Sequence, residues 1–317
     1  MIGKDLLTVG EIPAADVIRL VKAAAALKTR RTRTARQPLL GMSLGLLFEK
    51  PSTRTRVSFE AGMNQLGGQS LFLSASDIQL CRGESIADTA RVLSRYLDGL
   101  VVRTYDHATV EEWARQATIP VINGLTDLHH PCQALSDLLT ILERIGKLKG
   151  VKMAYLGDGN NVANSLVESA AKTGMRIHLA CPQGYDPDPR IMDLAREEAR
   201  RTGGTIEIGR DPQIAMKDAD VVYTDVWTSM GQEREEARRL KALAPYQLNE
   251  RLMRAAKANA IVMHCLPAHR GQEISAAVLD GPQSVVLDQA ENRLHMQKAI
   301  LIELLGKATG NRRGTRA

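Results

Sequence analysis

Short apolar runs of three to six residues recur along the chain and alternate with stretches of helical periodicity. That alternation constrains the fold more than any other feature. Parallel strands need a crossover long enough to hold a helix, so it predicts βαβ units and an α/β chain with parallel sheets. Candidate strands cover residues 44–48, 100–102, 120–122, 151–156, 176–180, 205–208, 221–223, 261–263 and 285–287. Ser85-Ile86-Ala87-Asp88 has the form of a helix start, with Gly99 as its stop. Pro131 suits a first helical position. Ala134, Leu135, Leu138, Leu139, Leu142 and Ile145 follow at helical spacing before Gly146. Residues 292–305 predict a C-terminal helix. A chain of 317 residues holds about two domains at about 150 residues each. Gly146-Lys147-Leu148-Lys149-Gly150 is the expected hinge between them.

Polar constellations follow these runs closely. Ser52-Thr53-Arg54-Thr55-Arg56 comes after the first candidate strand and Arg103 after the second. His130-Pro131-Cys132-Gln133 comes after the third, and Asn160-Asn161 after the run ending at Leu156. Asp225 follows residues 221–223, and His264-Cys265-Leu266-Pro267 follows residues 261–263. In open α/β sheets the carboxyl ends of strands are the edge where ligands bind. Six coincidences argue for one shared crevice.

The chemistry of each constellation is specific. Pro51 breaks the strand and Ser52 caps the next helix, whose first turn offers N–H groups, two hydroxyls and a cation. That set suits a phosphate-like dianion. Residues two apart on a helix point to different faces, so Arg54 is assigned to the ligand and Arg56 to a structural pair. His130 and Gln133 sit at a helix mouth, where they can polarise a carbonyl or simply line a loop. Gly157-Asp158-Gly159-Asn160-Asn161-Val162 begins like a dinucleotide fingerprint, but Val162 stands where the third glycine belongs. The asparagines can instead hydrogen-bond a carboxylate. Asp225, ahead of Ser229-Met230-Gly231, suits an ammonium group or caps a turn. Cys265 reads as a nucleophile, a small buried residue or a contact. Arg293, at the start of the last helix, is a further anion contact.

Composition removes several function classes. The net charge of +6 comes from two short segments: Lys28, Arg30, Arg31, Arg33 and Arg36, and then Arg312, Arg313 and Arg316. Neither is interleaved with the three Phe, two Trp and six Tyr, so a base-stacking nucleic-acid surface is not expected. No run approaches the roughly 18 apolar residues of a membrane helix. The first residues lack an apolar signal core, and a cytoplasmic setting is expected. Cys81, Cys132, Cys181 and Cys265 form no CxxC pair, which argues against zinc or a disulfide framework.

Together, Ser52-Thr53-Arg54-Thr55-Arg56, His130-Pro131-Cys132-Gln133, Asp225 with Ser229-Met230-Gly231, and His264-Cys265-Leu266-Pro267 resemble the four signatures of the ornithine carbamoyltransferases, in order and at similar spacing. The resemblance runs from about residue 40 to about residue 305. The first two signatures are similar to those of all carbamoyltransferases, and the Asp225 loop is the part that points to ornithine. Cys81 departs from the family, which has glycine there.

The resemblance implies two doubly wound parallel-sheet domains. Residues 1–146 would bind carbamoyl phosphate and residues 147–291 ornithine, while residues 292–317 form a helix returning to the first domain. It implies a cytoplasmic homotrimer with active sites shared between subunits, serving arginine biosynthesis and requiring no metal or organic cofactor. The phosphate would lie on Ser52, Thr53, Arg54 and Thr55 with Arg103, Arg293 and, from a neighbouring subunit, Gln79. Thr55, Arg103 and His130 would donate to the carbamoyl oxygen. Gln133 and the carbonyl of Leu266 would accept from its amino group, with Cys265 close by. Asn161, Asp225, Ser229 and Met230 would hold ornithine. Arg54, Arg103, His130 and Cys265 are the expected catalytic residues. An NAD-dependent oxidoreductase and a nucleic-acid-binding protein are the competing classes, resting on the Gly157 turn and on the basic segment at residues 28–36.

Overall fold

The computed structural model describes residues 4–29, 37–74, 78–228 and 233–306. Ser229, Met230 and Gly231 lie outside the described residues, as do residues 30–36 and the arginines of the tail. The chain divides into two compact units. The first comprises residues 1–139 and 292–317, and the second residues 140–291.

In the first unit, α1 (Ala14–Thr29) is followed by β1 (Ser43–Phe48), α2 (Thr53–Gln65), β2 (Gln69–Ser74), α3 (Ile86–Tyr96), β3 (Gly99–Arg103), α4 (His107–Gln116) and β4 (Val121–Leu125). Next comes α5 (Pro131–Ile145). The sheet is parallel throughout, in the order β2-β1-β3-β4. Its central strands β1 and β3 are buried and largely apolar, as strands covered on both faces must be. One face packs Leu47, Leu100, Val102 and Val121 against Ala90 of α3 and Val110 and Trp113 of α4. Ser85 caps α3 by accepting from Asp88 N–H at 3.1 Å, as its sequence predicts. The helix ends at Tyr96, before Gly99, which opens β3.

The second unit holds β5 (Lys152–Leu156), α6 (Asn161–Thr173), β6 (Arg176–Ala180), α7 (Pro189–Thr202), β7 (Thr205–Gly209), α8 (Pro212–Met216) and β8 (Val221–Thr224). It continues through α9 (Glu236–Leu243), α10 (Glu250–Met253), β9 (Ile261–His264) and α11 (Ala276–Leu279) to the start of α12 (Val286–Leu305). Its sheet is also parallel, in the order β7-β6-β5-β8-β9. Ala154, Leu156, Val222 and Val262 pack there against Met216 of α8 and Leu252 of α10. The α/β reading with two doubly wound parallel sheets is what the structure has. Residues 292–306 pack on the first unit: Arg19 pairs with Glu303 at 2.7 Å, Lys28 donates to Asn292 at 2.8 Å and Lys298 to Gln65 at 3.0 Å.

Two strand assignments need correction. Residues 285–287 are not a strand. Val285 donates to the Val262 carbonyl at 3.0 Å, and its own carbonyl already accepts from Gln289 N–H at 2.9 Å as the chain turns into α12. The same apolar run serves as a helix start, so that helix begins at Val286 and not near residue 292. In the other direction, β2 has no counterpart among the candidate strands. It is an edge strand whose Leu71 and Phe72 are exposed, and only three consecutive apolar residues announce it.

Candidate active site

Each sheet has one place where the strand order reverses, and such a switch point opens a crevice at the strand carboxyl ends. In the first unit it lies between β1 and β3, in the second between β5 and β8. Most of the expected site residues fall at these two places and on the strands beside them.

In the first unit, Ser52 caps α2, its hydroxyl accepting from Thr55 N–H at 3.2 Å. Thr53, Arg54 and Thr55 form the first turn, at the positive end of the helix dipole. Arg56 turns away, as expected, pairing with Glu60 at 3.0 Å and lying over the Phe72 ring. Arg103 ends β3, where it is buried and donates through Nε to the Lys50 carbonyl at 3.2 Å. His130 and Gln133, at the mouth of α5, are buried as well. Arg293 joins the group from within α12, donating to Gln133 Oε1 at 2.6 Å and to Thr55 Oγ1 at 2.8 Å. Thr55 accepts there and keeps its own hydroxyl proton as a donor.

Gln133 also donates through Nε2 to Asp137 at 2.8 Å. A guanidinium only donates and a carboxylate only accepts, so the two partners fix which end of the amide is oxygen. Gln79 is exposed at the start of a 3₁₀ turn and is not hydrogen-bonded to this group.

Burial and then the charges of Arg293, Arg103 and Arg54 hold His130 well below the ordinary histidine range. The imidazole is therefore neutral near pH 7. The long 3.5 Å contact from Arg293 to Nε2 implies an acceptor there and the proton on Nδ1. Three guanidiniums beside a helix N-terminus and a neutral imidazole suit an oxygen-rich dianion with a polarised carbonyl.

This has a consequence for stability. Below about pH 6.5 the unfolded chain gains a proton on His130 that the folded chain refuses, so stability falls with pH in that range. From pH 7.5 to pH 5.5 the wild type should lose more stability than His130→Gln does, because only the wild type carries the depressed imidazole. Denaturant unfolding at both pH values checks this, and equal losses would contradict it.

In the second unit, Gly157 takes φ +129 after β5 and Asn160 caps α6. Gly159 has no room for a side chain, because a Cβ would lie 2.1 Å from Pro187 N. Asn161 is the first residue of α6. Asp225, buried after β8, takes Val226 N–H at 2.8 Å and the Cys265 thiol at 2.8 Å on Oδ1. Its Oδ2 takes the Asn160 amide at 2.7 Å. Leu266 adopts φ +58, a strained conformation for a branched residue. Its N–H donates to His264 Nδ1 at 2.9 Å, and His264 Nε2 meets Glu273 at 3.2 Å. The arrangement presents one carboxylate beside a helix N-terminus, a pair of poles suited to the ammonium and carboxylate of an α-amino acid.

Asp225, His264 and Cys265 also place possible metal donors within 4.8 Å of one another. Both His264 nitrogens are already engaged, however, so a cation would have to displace the Leu266 N–H or the Glu273 carboxylate.

Besides the contacts of Arg293, three further pairings escaped the sequence reading. Asn160 to Asp225 is one, and Gln133 to Asp137 another. In the third, Arg239 of α9 pairs with Asp158 and donates to the Trp227 carbonyl, fixing the chain ahead of residue 229. Burial pushes the Asp158 carboxyl up to about 6 and outweighs the opposing pull of Arg239. Only Asn160 carried a local signal, a cap residue in front of a helix.

Residues 4–143 match the family model described as the carbamoyl-P binding domain of aspartate/ornithine carbamoyltransferase, and residues 149–304 match its Asp/Orn binding domain. The chain is 56% identical over 299 residues to an ornithine carbamoyltransferase of Syntrophus aciditrophicus, covering 94% of this chain and 98% of that protein. It is 54% identical over 311 residues to one of Bacillus subtilis, covering 98% and 96%. Its structure is similar to ornithine carbamoyltransferase from Pyrococcus furiosus, with a TM-score of 0.92 and 51% identity over 95% of this chain and 97% of that one. It also resembles the anabolic ornithine carbamoyltransferase of Campylobacter jejuni, with a TM-score of 0.90 and 40% identity over 95% and 99% of the two chains.

Proposed function

This chain belongs to the aspartate/ornithine carbamoyltransferase family and is a carbamoyltransferase, and we propose that it transfers the carbamoyl group of carbamoyl phosphate to the δ-amine of L-ornithine. The products are L-citrulline and phosphate. The observation that carries ornithine is Asp225, a buried carboxylate at the β5/β8 switch point beside the start of α6. A substrate without an α-ammonium would leave that carboxylate hydrogen-bonded but with no cation to balance its charge, which is costly in a buried site.

Carbamoyl phosphate binds first in this proposal, with residues 1–146 as its domain. Its phosphate rests on Ser52, Thr53, Arg54 and Thr55 with Arg103 and Arg293. Thr55, Arg103 and His130 donate to the carbamoyl oxygen, where charge builds as the carbon becomes tetrahedral. Gln133 offers an oxygen to the carbamoyl amino group. Residues 147–291 take ornithine, with Asn161 on the α-carboxylate, Asp225 on the α-ammonium and Cys265 orienting the amine. Ser229 and Met230 belong to the same proposal.

The δ-amine must lose its proton before attack, since an amine of this kind has a pKa of about 10.4 in water. A C–N bond then forms, the C–O bond to phosphate breaks, and the departing phosphate takes the proton. Positioning and electrostatic stabilisation carry the rate. Gln79 completes the phosphate site from a neighbouring subunit of a cytoplasmic homotrimer. The likeness to an anabolic relative supports a role in arginine biosynthesis. No helix among the described residues is long and apolar enough to cross a membrane.

Product stoichiometry tests the proposal. One citrulline and one phosphate should form per carbamoyl phosphate consumed, with no enzymatic phosphate release when ornithine is omitted. Phosphate release without citrulline would refute it.

A further inference from the structure

The amide of Asn160 faces two ways. Its Oδ1 accepts from the N–H groups of Val162 at 2.9 Å and Ala163 at 3.1 Å, closing the first turn of α6. Its Nδ2 donates to Asp225 Oδ2 at 2.7 Å. The orientation follows from the partners, because backbone N–H groups need an acceptor and an ionised carboxylate needs a donor. The backbone beneath cannot slide. Gly159 is pressed against Pro187, its N–H donates to the Tyr185 carbonyl at 2.8 Å, and the Tyr155 hydroxyl donates to the Asp158 carbonyl at 2.8 Å.

We propose that Asn160 is a positioning residue for the amino-acid substrate, fixing the spacing between the ammonium receptor Asp225 and the carboxylate receptor at the start of α6. The inference rests on the reading of Asp225 and Asn161 given above. An α-amino acid carries both charges on one carbon, so its two receptors tolerate little slack. One side chain holds both, the helix end through its oxygen and the carboxylate through its nitrogen. Val226 N–H and the Cys265 thiol fix the other carboxylate oxygen, and Asn160 removes the remaining rotation.

Two substitutions separate this role from plain helix capping. Asn160→Ser and Asn160→Asp both keep a capping oxygen. Serine leaves no donor for Asp225, and aspartate places a second carboxylate against it. The expected result for Asn160→Ser is a rise of about tenfold in the KM of ornithine, matching one lost hydrogen bond to a charged group. Asn160→Asp should raise it further. L-Norvaline keeps the α-groups and lacks the δ-amine, so its inhibition constant should rise in the same proportion. In Asn160→Ser the KM of carbamoyl phosphate and the thermal midpoint should stay near wild type.

In an Asp225→Asn background, Asn160→Ser should add little, because the partner it holds has already changed. An unchanged ornithine KM in Asn160→Ser would overturn the proposal. So would a parallel rise in both KM values with a lowered midpoint, which is what a helix cap alone would give. Should Asn160→Asp fail to fold, the serine variant decides. Absence of ornithine turnover in the wild type would instead overturn the functional reading, and this role with it.

Discussion

Arg54→Gly leaves the protein folded and lowers kcat by about 10²–10³, the cost of removing one donor from a charge-stabilising site. Arg54 sits in the first turn of α2, half-buried, where glycine costs at most about 1 kcal/mol of helix propensity. In a protein with units of this size the thermal midpoint should move by only about 2–4 °C. In the proposed mechanism the loss arises because Arg54 belongs to a cluster of positive charge set against the phosphate. Arg54, Arg103 and Arg293 all act on His130, and two of the three are buried. Near-normal kcat in a folded Arg54→Gly protein would show that the phosphate does not rest on this helix start.

Asp225→Asn carries the second large effect, confined to the other substrate. The substitution keeps the shape of the side chain and removes its charge. Truncating one partner of a buried charge pair costs upwards of about 2 kcal/mol, so kcat/KM for ornithine should fall by roughly 10²-fold. The KM of carbamoyl phosphate should hold, because the residues proposed for its phosphate lie in the first unit. Initial rates with each substrate varied in turn give both numbers. Equal damage to both substrates would contradict the assignment of Asp225 to the amino acid.

Much of this was legible in the chain, for physical reasons that can be named. Parallel strands covered on both faces must be apolar along their length, so β1, β5 and β8 stand out as runs. Pro51, Ser52 and Pro131 punctuate where strand gives way to helix, and ligand-binding side chains gather where strands end. The pairing of Arg56 with Glu60 follows from helical spacing alone. The edge strand β2 stayed hidden because one exposed edge does not demand a buried apolar stripe. The start of α12 was misplaced because Val285-Val286-Leu287 serves a strand or a helix equally well. Above all, the sequence could not reveal what the site residues hold on to. Asn160 and Asp225 are 65 positions apart, Arg293 and Gln133 are 160 apart, and Arg293 and Thr55 are 238 apart. No periodicity reports a pairing over such distances.

The most direct measurement of the central claim is the initial rate of ureido product formation from carbamoyl phosphate with four amines in parallel: ornithine, putrescine, N-acetylornithine and aspartate. Turnover with ornithine alone is the predicted result, because only ornithine offers Asp225 an α-ammonium together with a side-chain amine to be carbamoylated. Comparable kcat/KM with putrescine or N-acetylornithine, neither of which carries an α-ammonium, would contradict the account.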